Sequence, residues 1–292
     1  MKFRFPPRFY ALLVFLGGAS YGVLSTIVKT AYGVGFTVGD VSAGQALAGL
    51  CLLWPCVFLR GLPNLSWHMR GKIFLAGFPM GATTILYYHS LETLEASFAI
   101  ILMFQFVWMT ALLEHLFYGR RMGRKGLMAI PILLVGSLLA AGVSADKGLT
   151  PLFAPGAIWA LCSALSYSFM LLFSGSLARE VAPLQKSAWM ALGASVVVLS
   201  CWPPVAFLQG SYLLSLLPYA ILLGVFGIFL PPLLFAIGIP KAGPGLSGVL
   251  ASAELPVAVL MAHFVLQESV LPWQWFGVLL ILAAILLANG RG

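Results

Sequence analysis

Ten apolar runs follow one another along the chain, at 9–29, 41–59, 72–91, 95–117, 126–145, 153–178, 187–208, 213–239, 243–266 and 271–289. Each is close to the ~20 residues that an α-helix needs to cross the hydrocarbon core of a bilayer. The gaps between them are short and rich in Gly, Pro, Lys or Arg, with no room for a separate soluble domain. The expected fold class is therefore an all-α integral membrane protein with ten transmembrane helices. Composition agrees: 61% of the 292 residues are hydrophobic and 8% are charged, against about 25% charged in a soluble domain.

The opening "MKFRFPPRFYALLVFLGG" has the basic start and apolar run of a signal peptide. The run continues to Val28 and more spans follow, so it reads as a first transmembrane helix. Cys51, Cys56, Cys162 and Cys201 all lie in apolar stretches without CxxC or CxxH spacing. They are expected to be buried free thiols, with no disulfide, metal site or cofactor implied.

The basic residues orient the spans. With the N-terminus inside, cytoplasmic segments collect Lys2, Arg4, Arg8, Arg60, Arg70, Lys72, Arg120, Arg121, Arg124, Lys125, Arg179, Lys186, Lys241 and Arg291, and the other side receives only Lys29 and Lys147. That bias is the positive-inside signature. It places both termini in the cytoplasm and accounts for the pI of 9.5 without a nucleic-acid partner.

The two halves echo each other. Trp54-Pro55 recurs as Trp202-Pro203, His115 as His263, and Leu139-Ala140 with Gly142 as Leu287-Ala288 with Gly290, each at an offset of 148 residues. Ser20-Tyr21 recurs as Ser166-Tyr167 at an offset of 146. Five spans per half is an odd number, so the second half (149–292) enters the membrane from the side opposite to the first (1–148). Inverted repeats of this kind belong mainly to transporters, whose substrate site lies near the midplane between the repeats.

At this point the chain resembles a family. "ASFAIILMFQFVWMTALLEHLF" in the fourth span and "SGVLASAELPVAVLMAHFVLQES" in the ninth are similar to segments of the EamA-type branch of the drug/metabolite transporter superfamily. The resemblance covers nearly the whole chain and implies ten helices in two inverted five-helix repeats. Gly119-Arg120 stands where the family commonly has Gly-Glu, and the second repeat ends in Gln267-Glu268. Among relatives the chain is similar to bacterial exporters of amino acids, the aromatic ones especially, which implies an inner-membrane location.

Candidate site residues come from polar and aromatic groups inside the spans. Glu254 stands about halfway along the ninth, on a face with Ser247, Ala251, Ala258 and Met261. A charge at mid-bilayer costs about 2.5–3.5 kcal/mol on insertion scales and usually faces the bundle interior or a wet cavity. It either binds substrate or protons, or fastens its helix to a neighbour. Pro256 frees a carbonyl near residue 252 and marks a bending point.

In the third span Tyr87, Tyr88 and His89 cover about 200° of the helix, as a cavity wall or an interfacial belt. Gln105 and Trp108 share a face of the fourth span, where the amide needs a partner and the indole can stack on a cation. Glu114 and His115, near its end, read as an anchor or a gate. Trp159, Ser163, Ser166, Met170 and Ser174 form a stripe on the sixth span beside Tyr167, as cavity lining or serine packing. Tyr21 and Ser25 are the counterparts on the first span. Pro231-Pro232 is expected to bend the eighth span.

These readings point to a secondary transporter that exports small metabolites by alternating access. The chain has no nucleotide-binding sequence, so energy must come from exchange, a substrate gradient or coupled protons. Tyr, Trp, Gln and Ser around one acid suit amino acids, and equally hydrophobic cations. An intramembrane enzyme would need paired acids, Ser-His or HExxH, and none is present. The expected partners are a small-molecule substrate and the lipid bilayer, and ten helices suffice for a working monomer.

Overall fold

The computed structural model describes residues 6–90, 93–94, 96–141, 155–204, 210–267 and 269–289. Lys2, Arg4, Lys147, Glu268, Arg291 and the Gly142/Gly290 pair lie outside the described residues. The chain is all helical, with ten spans in two inverted five-helix repeats. Spans 1 and 2 are α1 (Pro7–Val34) and α2 (Val38–Leu59). Span 3 is α3 (Trp67–Ala76) with α4 (Phe78–Ser90), and span 4 is α5 (Ala96–Met103) with α6 (Phe106–Tyr118). Spans 5, 6 and 7 are α7 (Arg124–Ala140), α8 (Pro155–Ser176) and α9 (Pro183–Cys201). Span 8 joins α10 (Gly210–Leu223), a π-helical segment (Gly224–Phe229) and α11 (Leu230–Ala242). Span 9 is α12 (Pro244–Ala251) with α13 (Glu254–Phe264), and span 10 is α14 (Pro272–Asn289). Among the described residues, eight of these are long and apolar enough to cross a membrane by length and composition alone. The two outside that set are span 3, whose helices carry Arg70, Lys72 and His89, and α7, which has 17 residues.

Spans 4 and 9 break at the same place. In span 9 the N–H of Ala253 bonds to Leu250 O, Leu255 to Ser252 O and Val257 to Ala253 O. In span 4 Gln105 bonds to Leu102 O, Val107 to Phe104 O and Met109 to Gln105 O. These are the same three bonds displaced by the repeat offset. Pro256 explains the break in span 9, since it has no N–H to give Ser252. Trp108 holds the corresponding place in span 4, where the Gln105 amide steps in. Its Nε2 donates to Ile101 O (3.2 Å), and its Oε1 accepts from Trp108 Nε1 (2.8 Å).

The packing carries the same symmetry. α2 packs on α9 and α7 on α14, each the repeat partner of the other, and α6 of span 4 packs on α12 of the partner span 9. α1 packs on α11 and α13, as α8 packs on α4 and α6. Close approach depends on small residues. A Cβ on Gly18 would lie 2.3 Å from Ala251 O, and one on Gly22 would lie 2.3 Å from Glu254 O. The Gly18-x-x-x-Gly22 spacing thus seats α1 against the break in span 9.

The π-helical segment in span 8 has a local cause. Leu230 N–H bonds five residues back, to Val225 O. The next donor in that pattern would be residue 231, a proline without an N–H. Phe226 O thus loses that donor, and Ser20 Oγ on α1 donates to it at 2.8 Å. The double proline is therefore accommodated by widening the helix, with a hydroxyl from the first repeat completing the bonds.

Lys186, counted among the basic residues of the cytoplasmic segments, lies in the first turn of α9 and is buried. It is 1% exposed, and its Nζ donates to Ser174 O and Leu177 O, both at 2.6 Å. A cation there satisfies carbonyls at the C-terminal end of α8. The cysteines are free, but Cys51, Cys162 and Cys201 are exposed on the bundle surface and Cys56 is partly so, against the expected burial. A thiol is a small apolar group, and a lipid-facing surface accepts it as readily as a core does.

Candidate functional site

A cavity of about 430 Å³ lies between the repeats, within the ~300–1,000 Å³ of small-molecule sites. Its lining comes from one half of the bundle. It uses the C-terminal halves of α1 and α9, most of α4, the N-terminal half of α2, α5, and the middles of spans 6, 8 and 9. The cavity thus lies toward the end where α1 turns into α2. That turn is set by Gly35 (φ 104°) and by a capping box in which Thr37 and Asp40 exchange side-chain bonds.

Glu254 is the acid of this cavity, and the first helical residue of α13. A helix N-terminus favours a carboxylate. Tyr21, Tyr87 and Tyr167 each interact electrostatically with it. Among the described residues its carboxylate accepts no hydrogen bond and joins no ion pair, so it does not fasten span 9 to a neighbour. The Tyr167 side chain is 4% exposed, and among the described residues its hydroxyl has no hydrogen-bond partner. The Ser195 hydroxyl on the α9 wall is likewise unpartnered.

The repeat relation shows what is special about Glu254. Its counterpart is Phe106, the first residue of α6, which is fully buried with its ring 4.6 Å from that of Tyr167. The residue after each repeat-related tyrosine seats on a break carbonyl. Gly22 packs on Glu254 O, and Ser168 Oγ donates to Phe106 O at 3.2 Å. One repeat places an apolar ring at the centre and the other a carboxylate.

Five of the expected site residues, Tyr21, Tyr87, Tyr88, Tyr167 and Glu254, line this cavity. The other six do not. Ser163 and Ser166 turn to span 3, donating to Thr83 O (3.3 Å) and Pro79 O (2.8 Å). A serine in an apolar helix gains most from a carbonyl on the neighbour it packs against. His89 and Trp159 pair with each other, ring centroids 6.0 Å apart, with both side chains exposed. Gln105 is occupied with its own helix and with Trp108, which is 37% exposed. Both tryptophans and the histidine thus stand on the outer face of the bundle, where the lipid belt would lie.

Sequence reading missed the polar wall opposite Glu254: Ser42, Gln45, Thr84 and Ser195. The signal available was helical spacing. Ser42 and Gln45 are three apart, but short polar residues near a span's end are common and unspecific.

The opposite end of the bundle is closed. Glu114 is buried, and its Oε2 accepts the Gly245 N–H at 2.7 Å, joining α6 to the start of α12. Gly243 and Gly245 leave space for it, since a Cβ on Gly245 would lie 2.8 Å from that oxygen. Nearby, Trp54 and Trp189 meet at 5.2 Å, and the Arg70 guanidinium lies over Trp67 and Trp189. Among the described residues no group of three His, Cys, Asp or Glu could hold a metal ion.

Comparison with known proteins places this arrangement. The model of the EamA-like transporter family matches residues 8–142 and again 154–290. No curated protein matches the chain. A crystal structure, described only as that of a protein, superposes with a TM-score of 0.76 over 96% of this chain and 97% of that one, at 15% identity. At that identity it shows a shared fold.

Proposed function

The chain belongs to the EamA-like transporter family, and from that membership we propose that it is a secondary transporter exporting small amines by alternating access through the Glu254 cavity. Aromatic and apolar amino acids form one candidate class and hydrophobic organic cations the other. Both carry the ammonium group that an unpaired carboxylate would meet. The observation that carries this reading is Glu254 itself, an acid at the centre of an apolar bundle, among tyrosines and without a protein partner. An intramembrane enzyme would need a nucleophile or metal set converging on the cavity, and among the described residues none does.

The basic bias in the loops supports a cytoplasmic closed end with both termini inside, and the family resemblance supports a bacterial-type inner membrane. The cavity then faces outward. Inverted repeats make the opposite state available, because each half can take the other's conformation. Reaching it requires α6 to part from the N-terminus of α12, which breaks the Glu114–Gly245 bond. A hydrogen bond to a charged group contributes about 1.5–3 kcal/mol. Glu114→Ala should therefore shift the population toward the inward-open form by about tenfold or more. Labelling of single cysteines placed on each side of the bundle would measure it, and unchanged accessibility would remove Glu114 from the gate.

The transport reading is tested by uptake of labelled phenylalanine and of a labelled hydrophobic cation into proteoliposomes, with and without an imposed pH gradient. Saturable, protein-dependent flux is expected. A flux that rises with the gradient assigns proton coupling, whereas flux indifferent to it assigns a facilitator. Absence of any flux, with folding and orientation verified, would overturn the amine-transport reading.

A further inference from the structure

Resting on that reading of the cavity, we infer that the site selects ligands with a net positive charge, organic monocations with an apolar body, over zwitterionic amino acids. The argument starts from what a zwitterion brings. Its carboxylate is attached to the same carbon as its ammonium group. An ammonium placed at Glu254 therefore carries its own carboxylate into the same small volume. That second anion needs a positive partner, and among the described residues none pairs with Glu254 or stands at its turn of the helix.

Among the described lining residues the only basic one is Lys29. It lies seven residues beyond Gly22, whose backbone meets Glu254. Seven residues is about 10 Å along a helix. Lys29 stands about two turns further along α1 than Gly22, so it meets a carboxylate held beside Glu254 only by turning its side chain back along the helix. The start of α13 could have served an anion, as helix N-termini do. Here the N–H groups of Leu255 and Val257 are already bonded to Ser252 O and Ala253 O, and Glu254 adds its own negative charge beside them. The start of α6, its repeat counterpart, carries buried Phe106 instead. Neither half-helix presents a free positive end to a ligand carboxylate.

What the surroundings do offer suits a cation. Tyr21, Tyr87 and Tyr167 stand within electrostatic range of the carboxylate, and aromatic rings around an anion form the cage that holds alkylammonium groups. The Tyr21 and Tyr167 rings meet edge to face at 6.2 Å, and the Tyr167 hydroxyl, unpartnered among the described residues, adds a neutral polar group that can accept or donate. Leu24, Val28, Met80, Met103 and Met170 supply apolar and polarisable surface for the body of the ligand. Methionine adapts to varied shapes, which suits a site that reads charge strictly and shape loosely.

A series with one body and changing charge tests this. Phenylalanine, phenylalanine amide, phenethylamine and N-acetylphenylalanine carry the same ring as zwitterion, monocation, monocation and anion. Binding to the purified wild-type protein is measured by tryptophan fluorescence, and flux in proteoliposomes. The amide and the amine are expected to bind about tenfold to a hundredfold more tightly than phenylalanine, as for two like charges brought within several ångströms. The acetylated anion should not bind. Glu254→Gln should bring the amide and phenylalanine to within about twofold of each other, and Glu254→Asp should retain the preference.

Phenylalanine binding as tightly as its amide, or more tightly, would overturn the inference. If phenylalanine is transported and the cations are not, the transporter reading stands and only the selectivity falls. If no member binds or moves, the cavity is not an amine site and both fall together. The wild-type ratio alone decides the matter should the glutamine variant fail to fold.

Discussion

Glu254→Gln is expected to give a folded protein of equal or greater stability that has lost its transport, with flux down by about a hundredfold. The two readouts move in opposite directions for one reason. An ionised group at mid-bilayer costs about 2.5–3.5 kcal/mol to place there. Among the described residues nothing pairs with this carboxylate, so removing its charge leaves no orphaned partner. Glutamine has nearly the same shape and keeps the seat of α1 on the break, since Gly22 meets the backbone oxygen at 254 and not the side chain. A cationic substrate, in contrast, loses its counter-charge, and a charge-assisted contact in a desolvated site accounts for a loss of that size. Thermal unfolding in detergent and flux in proteoliposomes read the two effects separately. A variant that unfolds early yet transports normally would make Glu254 a structural fastening.

Gly22→Val is expected to be the most damaging single change on α1. The added Cβ would lie 2.3 Å from Glu254 O and 2.8 Å from Val257 Cβ. Neither neighbour has room to retreat. The oxygen belongs to the backbone of α13, and Val257 stands in the first turn of that helix, beside the break. Overpacking of this kind costs about 1–3 kcal/mol, and more where backbone must shift. The unfolding midpoint should fall by several degrees. Because the displaced carbonyl is that of Glu254, ligand binding should fall with it. Gly33→Ala is the control on the same helix, since nothing lies within 4 Å of its Cβ and alanine is the better helix former by about 1 kcal/mol. Equal effects at the two positions would mean that the close seat at Gly22 is not what holds span 9.

Particular residues show how far the sequence carried. The ten spans were legible because a backbone in lipid must satisfy its own hydrogen bonds, which demands long uninterrupted apolar runs. The break in span 9 was legible from Pro256, since a missing N–H has a local and fixed consequence. Its counterpart in span 4 was not, because Trp108 stands where the proline would be and only the repeated hydrogen-bond pattern reveals it. Pro231-Pro232 announced a disturbance in span 8, but the π-helical form and the Ser20 hydroxyl that completes it depend on a helix two hundred residues away.

Glu254 was found from the sequence because one ionisable group in an apolar run must have a reason. Tyr21, Tyr87, Tyr88 and Tyr167 were named beside it, and so were His89, Gln105, Trp108, Trp159, Ser163 and Ser166, which turned out to stand elsewhere. Helical periodicity decides which residues share a face. It does not decide whether that face meets the cavity, a neighbouring helix or lipid. In water the hydrophobic effect would separate the inner face from the outer. In a bilayer the exterior is as apolar as the interior, so an exposed Trp159 and a buried Phe106 look alike in the chain. The sequence by itself thus determined the spans, the repeat and the lone central acid, because each follows from local chemistry. Only the tertiary structure decided which polar faces look into the cavity, because that depends on how close small residues such as Gly18 and Gly22 let the helices come.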